Sequence, residues 1–577
     1  MKNTILTFAA AVMVLLCGCN SDIKLSPGQA YFASFTYTGN DSLFDPADLG
    51  SGEVFNPILQ GSYSDASICR KGDDYYMAVA NYTFFPGIPV LHSKDLVNWE
   101  QICFAFPTEQ QLFNTSLRAE QGLFPSTIRY NKHNDMFYIT GTLVGGGGHF
   151  VIKAKDPAGP WSDPEWLYGF GGVHPSLFFD EDGKAYLLNQ GNPGSEPMYL
   201  DFKVIWCQQF DLNSLKVFGD RRPILEGGDI LEKKPVWLES PQMFRKGEYY
   251  YLIASEGGSL GNGYSSCVYR SKNIWGPYEH YEQNPIVTQR RLTPGREKAV
   301  TNTGRVDMVE AKDGEWYAVF QGVRPYSASN DCNQGRETFL MPVTWDGEWP
   351  YIIRNGEPLP NKIKAPFGAR YNNDTVPFAH YIPHGNFKYV ERFESDTLPM
   401  QWNILRTPSS MPIVPNGEEG LVLPLEINNI RSQRHAGFIG IRQMHDVFSV
   451  ETEMHFEPQE PTEFAGLAMY LNDERNYEFG VGYRDDGYWL IVQKAVKDDG
   501  GISKEDVKVA RLTEKFVGRV FLKIERMEEG FAFSYKFNAG DEYVTLAGNV
   551  PVDYLSIARS GGFYGVVIGL YASLEEI

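Results

Sequence analysis

The sequence predicts an all-β chain of two domains, a five-bladed β-propeller followed by a β-sandwich. Three observations predict it. At 577 residues the chain is too long for one hydrophobic core. Its 33 Tyr, 37 Phe and 57 Gly suit aromatic strands joined by many turns. A strand–turn–strand pattern recurs five times and then stops, giving way to short alternating strands of another kind.

The first element is a leader. Lys2 precedes the apolar run ILTFAAAVMVLLCGC, too short for an ordinary membrane-spanning helix. Its end, Leu16-Cys17-Gly18-Cys19, resembles a bacterial lipobox, in which Cys19 carries the lipid and begins the mature chain. Residues 1–19 are therefore expected to be a lipoprotein signal. The expected product is an exported outer-membrane lipoprotein, periplasmic or at the cell surface, touching the membrane only through that anchor. A net charge of −20 argues against a nucleic-acid partner. Cys69, Cys103, Cys207, Cys267 and Cys332 lack the spacing of a disulfide framework or zinc site, so no metal is expected.

The propeller is expected over residues 50–365. Its five copies are RKGDDYYMAVA from Arg70, NKHNDMFYITG from Asn131, DEDGKAYLLNQ from Asp180, RKGEYYYLIAS from Arg245 and AKDGEWYAVFQ from Ala311. Each reads as a hairpin around a Gly, Asp or Asn turn. Their spacing of roughly fifty to seventy residues matches a four-stranded blade with generous loops. A second element, ending at Trp99, Trp161 and Tyr278, follows three of them at similar offsets. The stretch NGEPLPNKIKAPFGARYNNDTVPF reads as a connector. Residues 385–577, with strands such as FSVETEMHF, RVFLKIER and FYGVVIGLYA, are expected to form the sandwich.

Just upstream of the hairpins stand SDASICR, LFPSTIR, VHPSLFF, ESPQMFR and RVDMVEA. Aligned on the following strand, their equivalent residues are Asp65, Phe124, His174, Glu239 and Arg305. Innermost propeller strands line the central channel, so these residues are expected to converge on one pocket. Four polar residues meeting there cost desolvation unless they are paired or used. Asp65 and Glu239, on blades one and four, are the two opposed carboxylates that glycoside hydrolysis requires: one activates water and one protonates the leaving oxygen.

NPILQGSYSDASICRKGDDYY, FFPGIPVLHSKDLVNW, GLFPSTIRY, HPSLFFDEDG and LESPQMFRKGEYYYLIASEGG together resemble glycoside hydrolase family 43. The family consists of five-bladed inverting enzymes, typically β-xylosidases and α-L-arabinofuranosidases acting on plant oligo- and polysaccharides. The resemblance implies that Asp65 is the general base and Glu239 the general acid. It makes Arg336, in QGRETF, a sugar contact, and Tyr82 and Phe124 aromatic walls. It implies no cofactor. ETEMHFEPQEPTEFAGLAMYLNDERNYEFG and GGFYGVVIGLYA resemble the sandwich appended to β-xylosidase-like members, where a loop can narrow the mouth of the site.

Two departures stand out. His174 replaces a family aspartate that orients the base and tunes the acid, and Arg305 replaces a channel histidine often found near a bound cation. With Arg305 present, the calcium of some members is not expected. Both changes shift the local charge towards positive, and a nearby cation favours an ionised carboxylate. Three readings follow. In the first, a neutral His174 substitutes as a hydrogen-bonding orienter, leaving a working hydrolase with altered tuning. In the second, the cations, Arg305 above all, recognise an acidic or substituted sugar. In the third, the pocket binds glycan without cleaving it.

Overall fold

The computed structural model describes residues 27–111, 117–371, 381–408, 411–412, 419–485 and 487–574. The leader and Cys19 lie outside the described residues, as does part of the expected connector. Its regular secondary structure is almost entirely strand, arranged as a five-bladed propeller and a two-sheet sandwich.

Blade one runs outward through Ser67–Lys71, Asp74–Ala78, Gly87–Ser93 and Glu100–Phe106. The other innermost strands are Thr127–Asn131, Val173–Phe179, Glu239–Lys246 and Thr301–Glu310. Each of the five quoted repeats is the turn and second strand of a blade's inner hairpin. In blades one and four the turn is two residues, Gly72-Asp73 and Gly247-Glu248, with both glycines at positive φ. That conformation is what a tight hairpin demands and glycine adopts without cost. The ring closes at blade five, where Leu59 pairs with Thr338 beside the strand Glu337–Pro342.

The sandwich contains a strand that the sequence reading left unassigned. Gln29–Gly39, ahead of the propeller, lies in one sheet between Lys388–Glu391 and Phe448–His455, and also pairs with Leu421–Pro424. It buries Phe32, Phe35 and Tyr37 completely in the sandwich core. The second sheet contains eight strands, from Gly501–Arg511 at one edge to Asn403–Leu405 near the other. Its last strand, Phe84–Phe85, comes from blade one and pairs with Ile404 and Leu405. The two domains thus share a sheet and a core in which Phe85, Trp402 and Ile404 are buried together.

Truncating an aromatic ring in such a core removes its transfer free energy and leaves a cavity. Phe85→Ala is expected to lower unfolding free energy by about 3–5 kcal/mol. Chemical denaturation followed by near-UV circular dichroism checks it.

Candidate active site

The site begins with a backbone irregularity repeated around the ring. Uninterrupted pairing of the inner hairpins starts at Ser67, Thr127, Ser176, Gln242 and Asp307. Two residues earlier stand Asp65, Pro125, His174, Ser240 and Arg305. Four of these five have left-handed backbones, with φ of 59°, 57°, 54° and 54° for Asp65, His174, Ser240 and Arg305. The fifth is proline, whose ring forbids that angle. A positive φ in a non-glycine residue is strained and persists only where the surroundings over-determine it.

The expected equivalence of Glu239 and Phe124 with Asp65, His174 and Arg305 is therefore corrected by one residue. Ser240 and Pro125 occupy the ring, while Glu239 and Phe124 stand immediately before it. The bulge between Glu239 and Gln242 recurs in blade three between Val173 and Ser176, so Glu239 corresponds to Val173 there. Glu239 still reaches the cavity.

That cavity, about 480 Å³, is lined by Asp65, Tyr82, Phe124, His174, Glu239 and Arg336, among others. Asp65 is buried and richly held. Its Oδ2 accepts from Arg336 Nη2 at 2.7 Å, Tyr82 Oη at 2.8 Å and Ser64 Oγ at 2.8 Å. Burial alone would raise the Asp65 pKa; Arg336, Arg305 and the two hydroxyl donors outweigh it and hold the carboxyl below its ordinary value. Burial also pushes the Tyr82 hydroxyl far above its usual range, so it stays a donor.

Glu239 lies on blade four in different company. It is 8 % exposed, and the ion-pair contact it makes is from Oε2 to His174 Nε2 at 3.6 Å. The remaining wall is largely apolar. Tyr264 is buried there against Gly304, where a Cβ would fall 2.4 Å from the ring. Trp237, 41 % exposed, forms a rim with Leu260. Its backbone, at φ 54°, donates to Asp201 O at 3.1 Å, and Lys203 Nζ lies 4.9 Å from the ring centroid.

The opposite wall is aromatic and draws on both domains. Phe563, in the loop before the sandwich strand Val567–Leu574, stacks on Tyr82 at 6.2 Å and an 8° interplanar angle, and meets Phe124 edge-on. Its carbonyl accepts from Arg336 Nε at 2.7 Å. The close approach depends on glycine: a Cβ on Gly565 would stand 2.1 Å from the Gln334 carbonyl oxygen. Sequence reading foresaw that a sandwich loop could narrow the mouth but missed Phe563, Trp237 and Tyr264. The only signal for Phe563 was the aromatic in GGFYG, ahead of the final strand.

Arg305 differs from its expected place among substrate-binding residues. It is 2 % exposed and does not line the cavity; it lies within the converging strands. Its Nε donates to Asp65 O at 3.2 Å and lies 3.5 Å from Asp65 Oδ1. Nη1 reaches Ser240 Oγ at 3.0 Å and His174 Nδ1 at 3.2 Å, and Nη2 reaches Ser126 O at 3.4 Å. One guanidinium on blade five thus touches blades one, two, three and four. A cation already fills that position, so the residues there do not fit a calcium ion, which requires an oxygen-rich cage.

Comparison with known proteins decides the family. The family model described as glycosyl hydrolases family 43 matches residues 54–350, and the β-xylosidase C-terminal concanavalin A-like domain matches residues 390–576. The chain belongs to glycosyl hydrolase family 43. A xylosidase/arabinosidase of Butyrivibrio fibrisolvens is 32 % identical over 533 residues, covering 90 % of this chain and 95 % of that one. A non-reducing end α-L-arabinofuranosidase of Bacteroides ovatus is 32 % identical over 530 residues, covering 90 % and 91 %. Among solved structures, a family 43 protein from a capybara gut metagenome superposes with a TM-score of 0.86 at 35 % identity, covering 94 % of this chain and 99 % of that one. A xylan β-1,4-xylosidase from Bacillus halodurans gives a TM-score of 0.75 at 26 % identity, covering 90 % and 97 %. The protein is a family 43 glycoside hydrolase, and oligo- or polysaccharides are its substrates.

Proposed function

We propose that this family 43 enzyme releases single β-xylosyl or α-L-arabinofuranosyl units from the non-reducing ends of plant polysaccharide side chains, with inversion. One observation carries the reading: two carboxylates face the same cavity with opposite surroundings. Asp65 has cationic and hydroxyl partners that keep it ionised, which suits a base. Glu239 faces His174 Nε2 across the same cavity, beside Trp237 and Leu260, where it is placed to give a proton to the leaving oxygen. The specificity is supported by the xylosidase, arabinosidase and arabinofuranosidase relatives. Exo action is supported by the closed aromatic end formed by Tyr82, Phe124 and Phe563.

In this mechanism Asp65 removes a proton from water as the oxygen attacks the anomeric carbon, and Glu239 gives its proton to the departing glycosidic oxygen. Asp65 then returns its proton to solvent and Glu239 regains one, restoring the starting state. Arg305 and His174 stand between the two carboxylates, in contact with Asp65 on one side and Glu239 on the other. Both carboxylates line the one cavity, the arrangement that direct displacement by water requires. Arg336 and Tyr82 bind the terminal sugar while fixing Asp65. A sugar carboxylate would need a free guanidinium fork, and Arg305 has none to offer, so a neutral pentose is favoured over an acidic sugar.

Asp65→Asn and Glu239→Gln are each expected to lower kcat/KM on aryl xylosides and arabinofuranosides by at least about 10²–10⁴-fold. Proton NMR of the wild-type product is expected to show the inverted anomer first. Retention of configuration, or full activity in either variant, would reject the mechanism.

Arg336 allows the sign of a pH effect to be worked out. Asp65 is held below its ordinary pKa, so it stays ionised at pH values where a free Asp would take up a proton. Removing the nearest cation raises that pKa, so in Arg336→Met the acid limb of the kcat/KM profile is expected to move to higher pH. A profile displaced only in amplitude would show that Arg336 binds sugar without tuning the base.

We also propose that the enzyme is exported and anchored through Cys19, a reading supported by the leader and the Leu16–Cys19 pattern. Cys19→Ala is expected to move the protein from the membrane to the soluble fraction of fractionated cells. An unchanged distribution would exclude lipid anchoring at this residue.

A further inference from the structure

We infer that Arg305 is a positioning residue that sets the proton of His174, so that His174 can neither take the proton of Glu239 nor become a second cation beside it. The inference rests on Glu239 being the general acid. A guanidinium carries five N–H donors and no acceptor. Arg305 Nη1 lies 3.2 Å from His174 Nδ1, so Nδ1 accepts and bears no proton. The neutral ring then carries its proton on Nε2, the atom that faces Glu239 Oε2 at 3.6 Å.

That tautomer has a chemical consequence. An imidazole bare at Nε2 would compete for the carboxyl proton that the leaving oxygen needs. A doubly protonated ring would place a positive charge against Glu239 and favour its ionised form. With Nε2 already protonated, His174 can only donate. At 3.6 Å the Nε2–H faces Oε2 from just beyond hydrogen-bond distance, placed to donate as the gap closes while the carboxyl proton goes to the glycosidic oxygen. When that proton departs, the same N–H stabilises the carboxylate left behind. Arg305 itself is held by Ser240 Oγ and the backbone oxygens of Asp65 and Ser126, so the direction of the bond does not depend on substrate.

The other groups around His174 do not compete for this role. His149 on blade two is pushed down to about 4, chiefly by burial, so it is neutral at neutral pH. It contacts Thr142 Oγ1 through Nδ1 at 2.8 Å. Asp65, on the far side of Arg305, is engaged by Arg336 and Tyr82. Arg305 and Glu239 face the ring itself, His149 bears on it from blade two, and Arg336 and Tyr264 bear on Glu239 and Asp65 across the cavity.

Nitrogen NMR of the whole protein labelled with ¹⁵N-histidine reads the tautomer directly, with His174 assigned by its loss in His174→Gln. The expected result at pH 7 is a protonated Nε2 and a bare Nδ1. An Nδ1–H ring or an imidazolium overturns the inference, whatever the activity. Kinetics supply the second arm. Arg305→Gln keeps an N–H donor for Nδ1 and Arg305→Met does not. The alkaline limb of kcat/KM is expected to move to lower pH by about one unit or more in Arg305→Met. The shift should be smaller in Arg305→Gln and absent from Arg305→Met/His174→Gln, whose amide cannot gain a proton. An unshifted limb in a folded Arg305→Met overturns the inference. If Arg305→Met fails to fold, the wild-type NMR result still decides. Failure of the underlying mechanism reads out separately, as retained activity in Glu239→Gln.

Discussion

The site depends on how five strand starts share one axis. Each inner strand enters its sheet through a kink, and four of the kinks hold a non-glycine residue at positive φ. Such conformations cost of order 1–3 kcal/mol each and survive only under constraint. Arg305 supplies much of that constraint. Its donors reach Asp65, Ser126, His174 and Ser240, so one buried charge ties the kinks of all five blades together. A buried cation is costly unless paired and hydrogen-bonded. Here the strain of the kinks and the charge of the guanidinium offset one another, and the same contacts that steady the ring aim Asp65 and His174 into the cavity.

Much of this was legible. The hairpins were readable because tight turns require Gly, Asp or Asn at fixed places, and the second strands because each is an aromatic and apolar run buried along most of its length. The convergence of Asp65, His174, Glu239 and Arg305 followed from five-fold repetition. Its register was misread by one residue, although counting back from the Arg-Lys-Gly shared by blades one and four sets Ser240, five residues before Arg245, against Asp65, five before Arg70. The role of Arg305 was also beyond the sequence. An arginine at a channel position reads equally as a ligand for an acidic sugar or as a tie between strands, and only its hydrogen bonds distinguish the two.

What the sequence concealed most was long-range assembly. Gln29–Gly39 joins a sheet whose other strands begin more than three hundred and fifty residues later. Its alternation was visible, but the partner that makes it a strand was not. Phe563 reaches the cavity because Gly335 and Gly565 let two backbones approach, a contact between domains that no local pattern encodes. Tertiary packing of this kind overrides local propensity and is invisible to it.

The sandwich is therefore part of the cavity's wall rather than an appendage. Arg336 donates through Nη2 to Asp65 in the propeller and through Nε to the Phe563 carbonyl in the sandwich. The guanidinium that keeps Asp65 ionised is thus oriented by the domain that closes the pocket. Excluding water from that end also lowers the local dielectric, which strengthens the Arg336–Asp65 attraction and sharpens the contrast between the two carboxylates. Closure and electrostatics cannot be tuned independently here: a change that loosens the sandwich loop opens the pocket and at once weakens the grip on Asp65. The shared sheet through Phe84–Phe85 holds the two domains in the one arrangement where both conditions are met.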